Sequence, residues 1–274
     1  MNCAVITCSE YKRKMFKGKY MPERLTFSNI KGEILVINLP YSTDKFYLLG
    51  TKKKTRLCEK MCAYLHENNI YCVYLSGITD CEEFALIKKS FYIPNGKAVF
   101  KSYIGKALFE FNKKCETKAD GEDEASVLVW QKNFSYSGLE IIYSLSHFFK
   151  NISVAGCSDT DGEKYAEKIM DMTGLCLNYV RDVSQFDSCD FFVTDKETCD
   201  AVKSAYTVDL TKTRGSALKR MKFYAPPEFN RLLVYFCVFD DVCLEFLIYA
   251  SAENLNTDIL KAASQLGFKF KLLF

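Results

Sequence analysis

Between residues 127 and 211 the chain repeats one rhythm: a short apolar run, a polar turn, a stretch of helical length, and another apolar run. Parallel strands need crossovers of a dozen or more residues, and helices usually supply them. The rhythm therefore admits little besides a parallel sheet covered by helices on both faces. Strands are expected over 127–130, 152–155, 176–180, 190–194 and 207–210, with helices over 139–149, 162–172 and 196–205. Gly174 follows the second of these helices, where a left-handed C-terminal stop belongs.

The preceding region reads as mixed α/β. Strands are expected near 4–7, 34–38, 46–49 and 71–75. A helix over 55–67 puts Leu57, Met61, Tyr64 and Leu65 on one face. Two more helices, near 82–89 and 97–114, are separated by the breaker Pro94-Asn95-Gly96. Residues 116–126, ETKADGEDEAS, are acidic and centred on Gly121, as a domain boundary would be. Beyond Pro226-Pro227, the residues Phe229, Leu232, Leu233, Phe236, Cys243, Phe246 and Leu247 fall largely at helical spacing. A buried helix is the reading there, with a β-hairpin turning at Asp240-Asp241 as the alternative. A final helix over 257–266 stops at Gly267, and FKFKLLF alternates like a closing edge strand.

Composition sets limits on function. A net charge of +3 is too small to imply nucleic acid. The most apolar stretch, 232–250, contains Asp240, Asp241 and Glu245, which a bilayer would penalise, so no membrane association is expected. The N-terminus lacks a basic segment followed by an apolar run and reads as a strand rather than a secretory signal. The thirteen cysteines are odd in number and mostly sit inside apolar runs, the usage of a reducing compartment, so the expected location is cytoplasmic.

The layout VLV, loop, helix, NISVAGCSDTDGEKYAEKIMDMTGL, DFFVTD over 127–211 resembles the nucleotide-binding domain of the shikimate dehydrogenase and glutamyl-tRNA reductase group. The resemblance implies a Rossmann-type frame and a glycine-rich first loop that lets backbone approach a pyrophosphate at a helix N-terminus. This chain departs from that pattern. Its loop is Gln131-Lys132-Asn133-Phe134-Ser135-Tyr136-Ser137-Gly138, with Gly138 alone near the helix start. Its second strand ends Ala155-Gly156-Cys157-Ser158-Asp159, offering Asp159 two or three residues late for a cofactor ribose. The lysine–aspartate catalytic pair of shikimate dehydrogenases has no counterpart in the first domain. NAD and NADP are therefore disfavoured as cofactors.

The expected architecture is α/β in two domains with a cleft between them. An N-terminal α/β domain spans 1–115, an acidic linker 116–126 and a Rossmann-like domain 127–215. A C-terminal helical segment with a closing strand, 216–274, packs back. The candidate ligand-binding residues are Ser135, Ser137, Gly138, Gly156, Ser158 and Asp159. Ser135, Ser137 and Gly138 stand where helix N–H groups and two hydroxyls suit a small anion, although Ser137 acting as an ordinary helix cap explains them as well. Residues 159–162 can meet a polyol, or simply start a helix with Asp159 or Asp161 as its cap.

Cys58, Cys62 and His66 share a helical face but lack a fourth ligand, so core packing is the default and no metal is expected. His147 has no nucleophile beside it. Two basic clusters, Lys12-Arg13-Lys14 with Lys17 and Lys19, and Lys52-Lys53-Lys54 with Arg56, read as solvated charge with phosphate contact as the alternative. The leading expectation is a non-standard small-ligand or nucleotide-binding protein without dinucleotide-dependent catalysis. The alternatives are an NAD(P)-dependent oxidoreductase with an unusual loop, and a structural or partner-binding protein whose cleft is filled by Phe134 or Tyr136.

Overall fold

The computed structural model describes residues 2–8, 22–28, 30, 32–78, 81–115, 125–181, 188–194, 204–210, 221–236, 239–252 and 258–272. The chain divides into two compact units, residues 1–99 with 223–269, and residues 100–222 with 270–274. Residues 116–124 of the expected acidic linker, 196–203 of the helix expected over 196–205, and the basic cluster at 12–19 lie outside the described residues.

In the first unit, strands β1 (Cys3–Cys8), β2 (Glu23–Leu25), β3 (Ile34–Leu39) and β4 (Cys72–Ser76) form a sheet in the order β2-β3-β1-β4. β1 lies between β3 and β4 and runs parallel to both, with Cys3 opposite Ile34 and Cys72, while β2 pairs antiparallel with β3. The three parallel strands are nearly continuous apolar runs because both faces are covered. On one face Ala4, Ile6, Leu35, Ile37, Val73 and Leu75 meet the buried face of helix α2 (Thr51–Glu67), formed by Leu57, Cys58, Met61, Cys62 and Leu65.

The expected strand at 46–49 is instead the end of a short helix, α1 (Thr43–Tyr47). Ser42 caps it by accepting from the Lys45 N–H at 3.3 Å, Asp44 sits in its first turn, and Phe46 is its buried residue. Helix-start chemistry outweighs four apolar residues in a row. After β4 come a 3-10 turn (Glu82–Phe84), α3 (Ala85–Ser90) and the 19-residue α4 (Lys97–Cys115). The division between the units falls inside α4.

The second unit is built on one five-stranded parallel sheet, with helices threaded between its strands. Strand β5 (Ser126–Trp130) leads to helix α5 (Tyr136–Ser146), β6 (Asn151–Ala155) to α6 (Asp159–Thr173), and β7 (Asn178–Val180), β8 (Cys189–Thr194) and β9 (Ser204–Asp209) follow. The sheet order is β7-β6-β5-β8-β9. The chain therefore steps outward from β5 to β7, returns beside β5 as β8, and steps out again. This is the doubly wound, Rossmann-like order, and its topological switch lies between β5 and β8. Gly174 closes α6 with φ of 73°.

Helix α4 crosses α5 at very short range. A Cβ at Gly105 would collide with the Ser144 carbonyl. The Ser144 hydroxyl accepts the Gly105 N–H at 3.1 Å and donates to the Ser102 carbonyl at 2.6 Å. Further along α4, Phe109 packs on Phe148 and Phe149, and Phe111 on Phe191 and Tyr206.

Strand β10 (Met221–Tyr224) pairs with β11 (Lys269–Leu272), the expected closing strand. Between them run a 3-10 turn (Pro227–Phe229), α7 (Asn230–Leu233), α8 (Asp241–Ser251) and α9 (Ile259–Gln265). The expected single helix is therefore broken, and Asp240 is no hairpin turn. Its side chain accepts the Cys243 N–H at 3.0 Å and starts α8. The C-terminal helices do pack back. α8 supplies Phe246 and Cys243 to Tyr74 of β4, at 5.8 Å between rings and 3.2 Å from sulfur to hydroxyl.

One carboxylate is fully buried in α8. Glu245 accepts from the Tyr92 hydroxyl, from the Asn95 N–H at 3.4 Å and from the Ala98 N–H at 3.2 Å, and so closes the start of α4. Burial, and then this carboxylate, hold the Tyr92 hydroxyl far above its ordinary pKa. One turn earlier, Asp241 lies against the turn at Gly96, whose φ is 77°. Burial, and then the charge of Asp240, push the Asp241 carboxyl up to about 6.

Candidate functional site

Among the described residues, the carboxyl ends of β5 and β6 gather most of the singled-out side chains, beside the switch point where open α/β sheets form crevices. The β5–α5 loop begins with Gln131, whose backbone N–H donates to the Ala155 carbonyl of β6 at 2.9 Å. Ser135, with extended backbone, is the N-cap of α5, and its hydroxyl accepts the Gly138 N–H at 3.0 Å. The alternative in which Ser137 caps this helix is thereby corrected: the helix starts three residues earlier than its apolar stripe, and Ser137 is a half-buried first-turn residue.

The loop is held from the side by α6. Tyr165, fully buried, brings its hydroxyl to 2.9 Å from the Ser135 N–H, which it accepts. The same hydroxyl lies 3.2 Å from the Asn133 carbonyl and 3.4 Å from that of Ser135, to either of which it donates. One helical turn earlier, the Asp161 carboxylate faces the Phe134 N–H. The Phe134 N–H comes first among the causes that hold its carboxyl below the usual pKa, and Lys164, at 3.4 Å, adds to it.

Gly138 is needed where it stands. A Cβ there would collide with the Tyr165 hydroxyl and lie 2.6 Å from Gln131 Oε1. Gln131 is 2% exposed, and its Oε1 lies 3.5 Å from the Ser135 hydroxyl, while its Nε2 is buried without a hydrogen-bond partner. Buried donors without acceptors are uncommon and costly. The seat is filled by Gln131 and Tyr165 rather than by the aromatic residues of the loop. Phe134 is half-buried with its ring 4.8 Å from that of Tyr165, and Tyr136 is 77% exposed.

The β6–α6 turn carries the second group. Gly156, with φ of 88°, lies against the Trp130 indole, which a Cβ would meet at 2.7 Å. Ser158, not Asp159 or Asp161, caps α6 by accepting the Asp161 N–H at 3.3 Å. Asp159 is exposed and pairs with Arg181 at 3.4 Å. Tyr179 donates to the Cys157 carbonyl at 2.7 Å, and burial raises the Cys157 thiol, with Asp161 and Asp159 adding to the rise. Sequence reasoning found the loop and the turn but missed Tyr165, Tyr179 and Arg181. Tyr165 alternates with Ile169 on the buried stripe of α6 and so reads as core, and nothing local signals that its hydroxyl reaches another loop.

The remaining candidates are dispersed. Cys58 and Cys62 are buried, and His66 packs its ring on Phe91 at 4.6 Å. No group of three metal-capable side chains converges among the described residues. His147 is bonded through Nδ1 to the Tyr143 carbonyl at 2.8 Å in an exposed position. Lys52, Lys53 and Lys54 occupy the first turn of α2, where Lys54 lies 3.6 Å from Glu83. No helix among the described residues is long and apolar enough to cross a membrane.

No protein-family model matches the chain, and no curated protein sequence does. Solved structures do. The chain is similar to L-tryptophan dehydrogenase from Nostoc punctiforme, at 13% identity and a TM-score of 0.34 over 86% of this chain and 66% of that one, just under two thirds of its length. It is similar to a shikimate dehydrogenase in complex with NADP+, at 10% identity and a TM-score of 0.32 over 98% of this chain and 91% of that one. It is also similar to ornithine transcarbamoylase from Giardia lamblia, at 8% identity and a TM-score of 0.31 over 72% of this chain and 62% of that one. Likeness this remote carries no ligand or reaction across; the strand order itself defines the frame.

Proposed function

We propose that this protein binds a small ligand on its Rossmann-like frame without dinucleotide-dependent catalysis, using the loop at Ser135, Ser137 and Gly138 and the turn at Gly156, Ser158 and Asp159. The observation that carries the reading is the internal engagement of the loop. The Ser135 N–H is taken by Tyr165, the Gly138 N–H by Ser135 itself, and a carboxylate, Asp161, faces the Phe134 N–H. A dinucleotide pyrophosphate needs those amides and no negative charge above them. What remains is the first-turn N–H groups of Tyr136 and Ser137, which an α-helix leaves without internal partners and which suit one small anion. A reducing cytoplasm belongs to the same reading, supported by the free thiols of ten of the described cysteines.

A second reading, a structural or partner-binding protein, is favoured by one observation: Gln131 and Tyr165 fill the seat beneath Gly138. Calorimetry with NAD and NADP, paired with Trp130 fluorescence, tests the first reading. Neither dinucleotide is expected to reach a low micromolar Kd, about −8 kcal/mol. Such binding would overturn the reading and promote the oxidoreductase. A panel of small phosphorylated and carboxylated metabolites separates the two remaining functions, since the structural reading expects no response.

A further inference from the structure

We infer that Glu245 and Asp241 form a carboxylate clasp that holds the start of α4 on α8, and that the clasp is a proton-sensitive switch, closed while Asp241 carries its proton and weakened once it ionises. The inference stands apart from the ligand-binding reading above. The two side chains lie four residues apart and therefore on one face of α8. Glu245 is fully buried and accepts from the Tyr92 hydroxyl, from the Asn95 N–H at 3.4 Å and from the Ala98 N–H at 3.2 Å. Those three donors bracket the turn Pro94-Asn95-Gly96 that leads into α4. Asp241 is half-buried and closes on the same turn: a Cβ at Gly96 would collide with its Oδ2.

The surroundings of Asp241 resist its negative charge. Burial comes first, then the charge of Asp240 and, one helical turn on, that of Glu245, opposed in part by the N–H groups of Asp241 and Val242. The other titratable groups packed around the clasp are Cys243 and Tyr249 of α8, Cys72 and Tyr74 of β4, and Tyr92 before α4. Burial keeps the Cys72 and Cys243 thiols and the Tyr92 hydroxyl protonated at neutral pH and below. Lys97, the nearest cation in sequence, is exposed, and among the described residues no lysine or arginine pairs with Asp240, Asp241 or Glu245. A turn that swings off α8 returns Asp241 to water and to an ordinary carboxyl. Opening is therefore resisted fully below about 4 and eases as pH rises through about 6, by about tenfold per pH unit in between. What the proton governs is the first turn of α4, the helix inside which the division of the two units falls.

The test is amide hydrogen exchange on the full-length protein between pH 4.5 and 6.5, corrected for the intrinsic effect of pH on exchange. Wild type, Asp241→Asn and Glu59→Gln are compared; Glu59 is an exposed acid of α2, and its change removes the same charge. In wild type and Glu59→Gln, protection of the Asn95 and Ala98 amides is expected to fall about tenfold across this range, while the Gly105 amide, further along α4, keeps its own. Asp241→Asn should hold the same protection at both ends. Flat protection in wild type would overturn the switch, as would an equal fall in Asp241→Asn. An equal fall at Gly105 would overturn it too, by showing that the whole helix opens. Should Asp241→Asn not fold, the carboxyl resonance of Asp241 in wild type decides. A midpoint that coincides with the loss of protection supports the switch, and one at the ordinary value of about 4 overturns it.

Discussion

Helices α2 and α5 both begin within parallel α/β layers, yet their starts are treated in opposite ways. α2 starts at Gly50 with no side-chain cap, no acid in its first turn and Lys52, Lys53 and Lys54 in their place; a Cβ at Gly50 would meet nothing. α5 starts under a lid of the protein's own acceptors, from Ser135, Tyr165 and Asp161. A third start, that of α4, is closed by the buried Glu245. The partial positive charge at a helix N-terminus is similar in all three. What differs is the answer each neighbourhood gives it: solvent and lysines, neutral hydroxyls with a half-buried carboxylate, or a fully buried carboxylate. A helix start in an α/β layer is therefore not a site by virtue of its place. Its neighbours decide.

The comparison breaks most visibly at α4. Glu245→Ala removes the fully buried carboxylate that accepts from the Tyr92 hydroxyl and from the Asn95 and Ala98 N–H groups. Chemical denaturation is expected to show a loss of about 3–5 kcal/mol, the cost of removing one member of a buried charged hydrogen-bond set. A loss under about 1 kcal/mol would mean that this start needs no carboxylate.

Its neighbour Asp241 gives a smaller effect with a defined sign. Its carboxyl is raised to about 6 from 3.8, so the folded state favours the protonated form. The stabilisation is complete below about 4 and is lost as pH rises through about 6. Discounted for partial solvent screening, it amounts to about 1–2 kcal/mol. The stability difference between wild type and Asp241→Asn should shift by that amount across this window, and a flat difference would refute it.

The smallest effect sharpens the contrast at α2. Lys53→Glu places an acid where the exposed first turn has none. A gain of about 0.3–1 kcal/mol is expected at low ionic strength and should fade with salt. A loss would show that the lysines there answer something other than the helix.

Much of the second unit was legible because its strands are buried on both faces. Apolar runs at 127–130, 152–155 and 190–194 fall within a residue or two of β5, β6 and β8. Start signals were harder. Ser137 and Asp159 have the right chemistry for caps, but Ser135 and Ser158 hold those places, because the exit direction of each strand sets where a helix begins. Phe46 misled for a related reason, since one buried aromatic on a five-residue helix cannot be told from a strand residue by pattern alone. The candidate loop was visible, whereas its occupants were not. Tyr165 and Asp161 reach it only because β5 and β6 are adjacent and in register, with Trp130 opposite Ala155. That is a fact of tertiary structure, beyond any local window.

The seam between α4 and α5 has a consequence for motion. Because the Ser144 hydroxyl bonds to the Gly105 N–H and to the Ser102 carbonyl, part of the backbone of α4 is satisfied by another helix rather than by itself alone. Opening α5 therefore exposes α4 as well. Over that stretch the two helices should exchange their amide hydrogens as one cooperative unit, with the slow Gly105 amide acting as a clock for separation of the pair rather than for fraying of either helix.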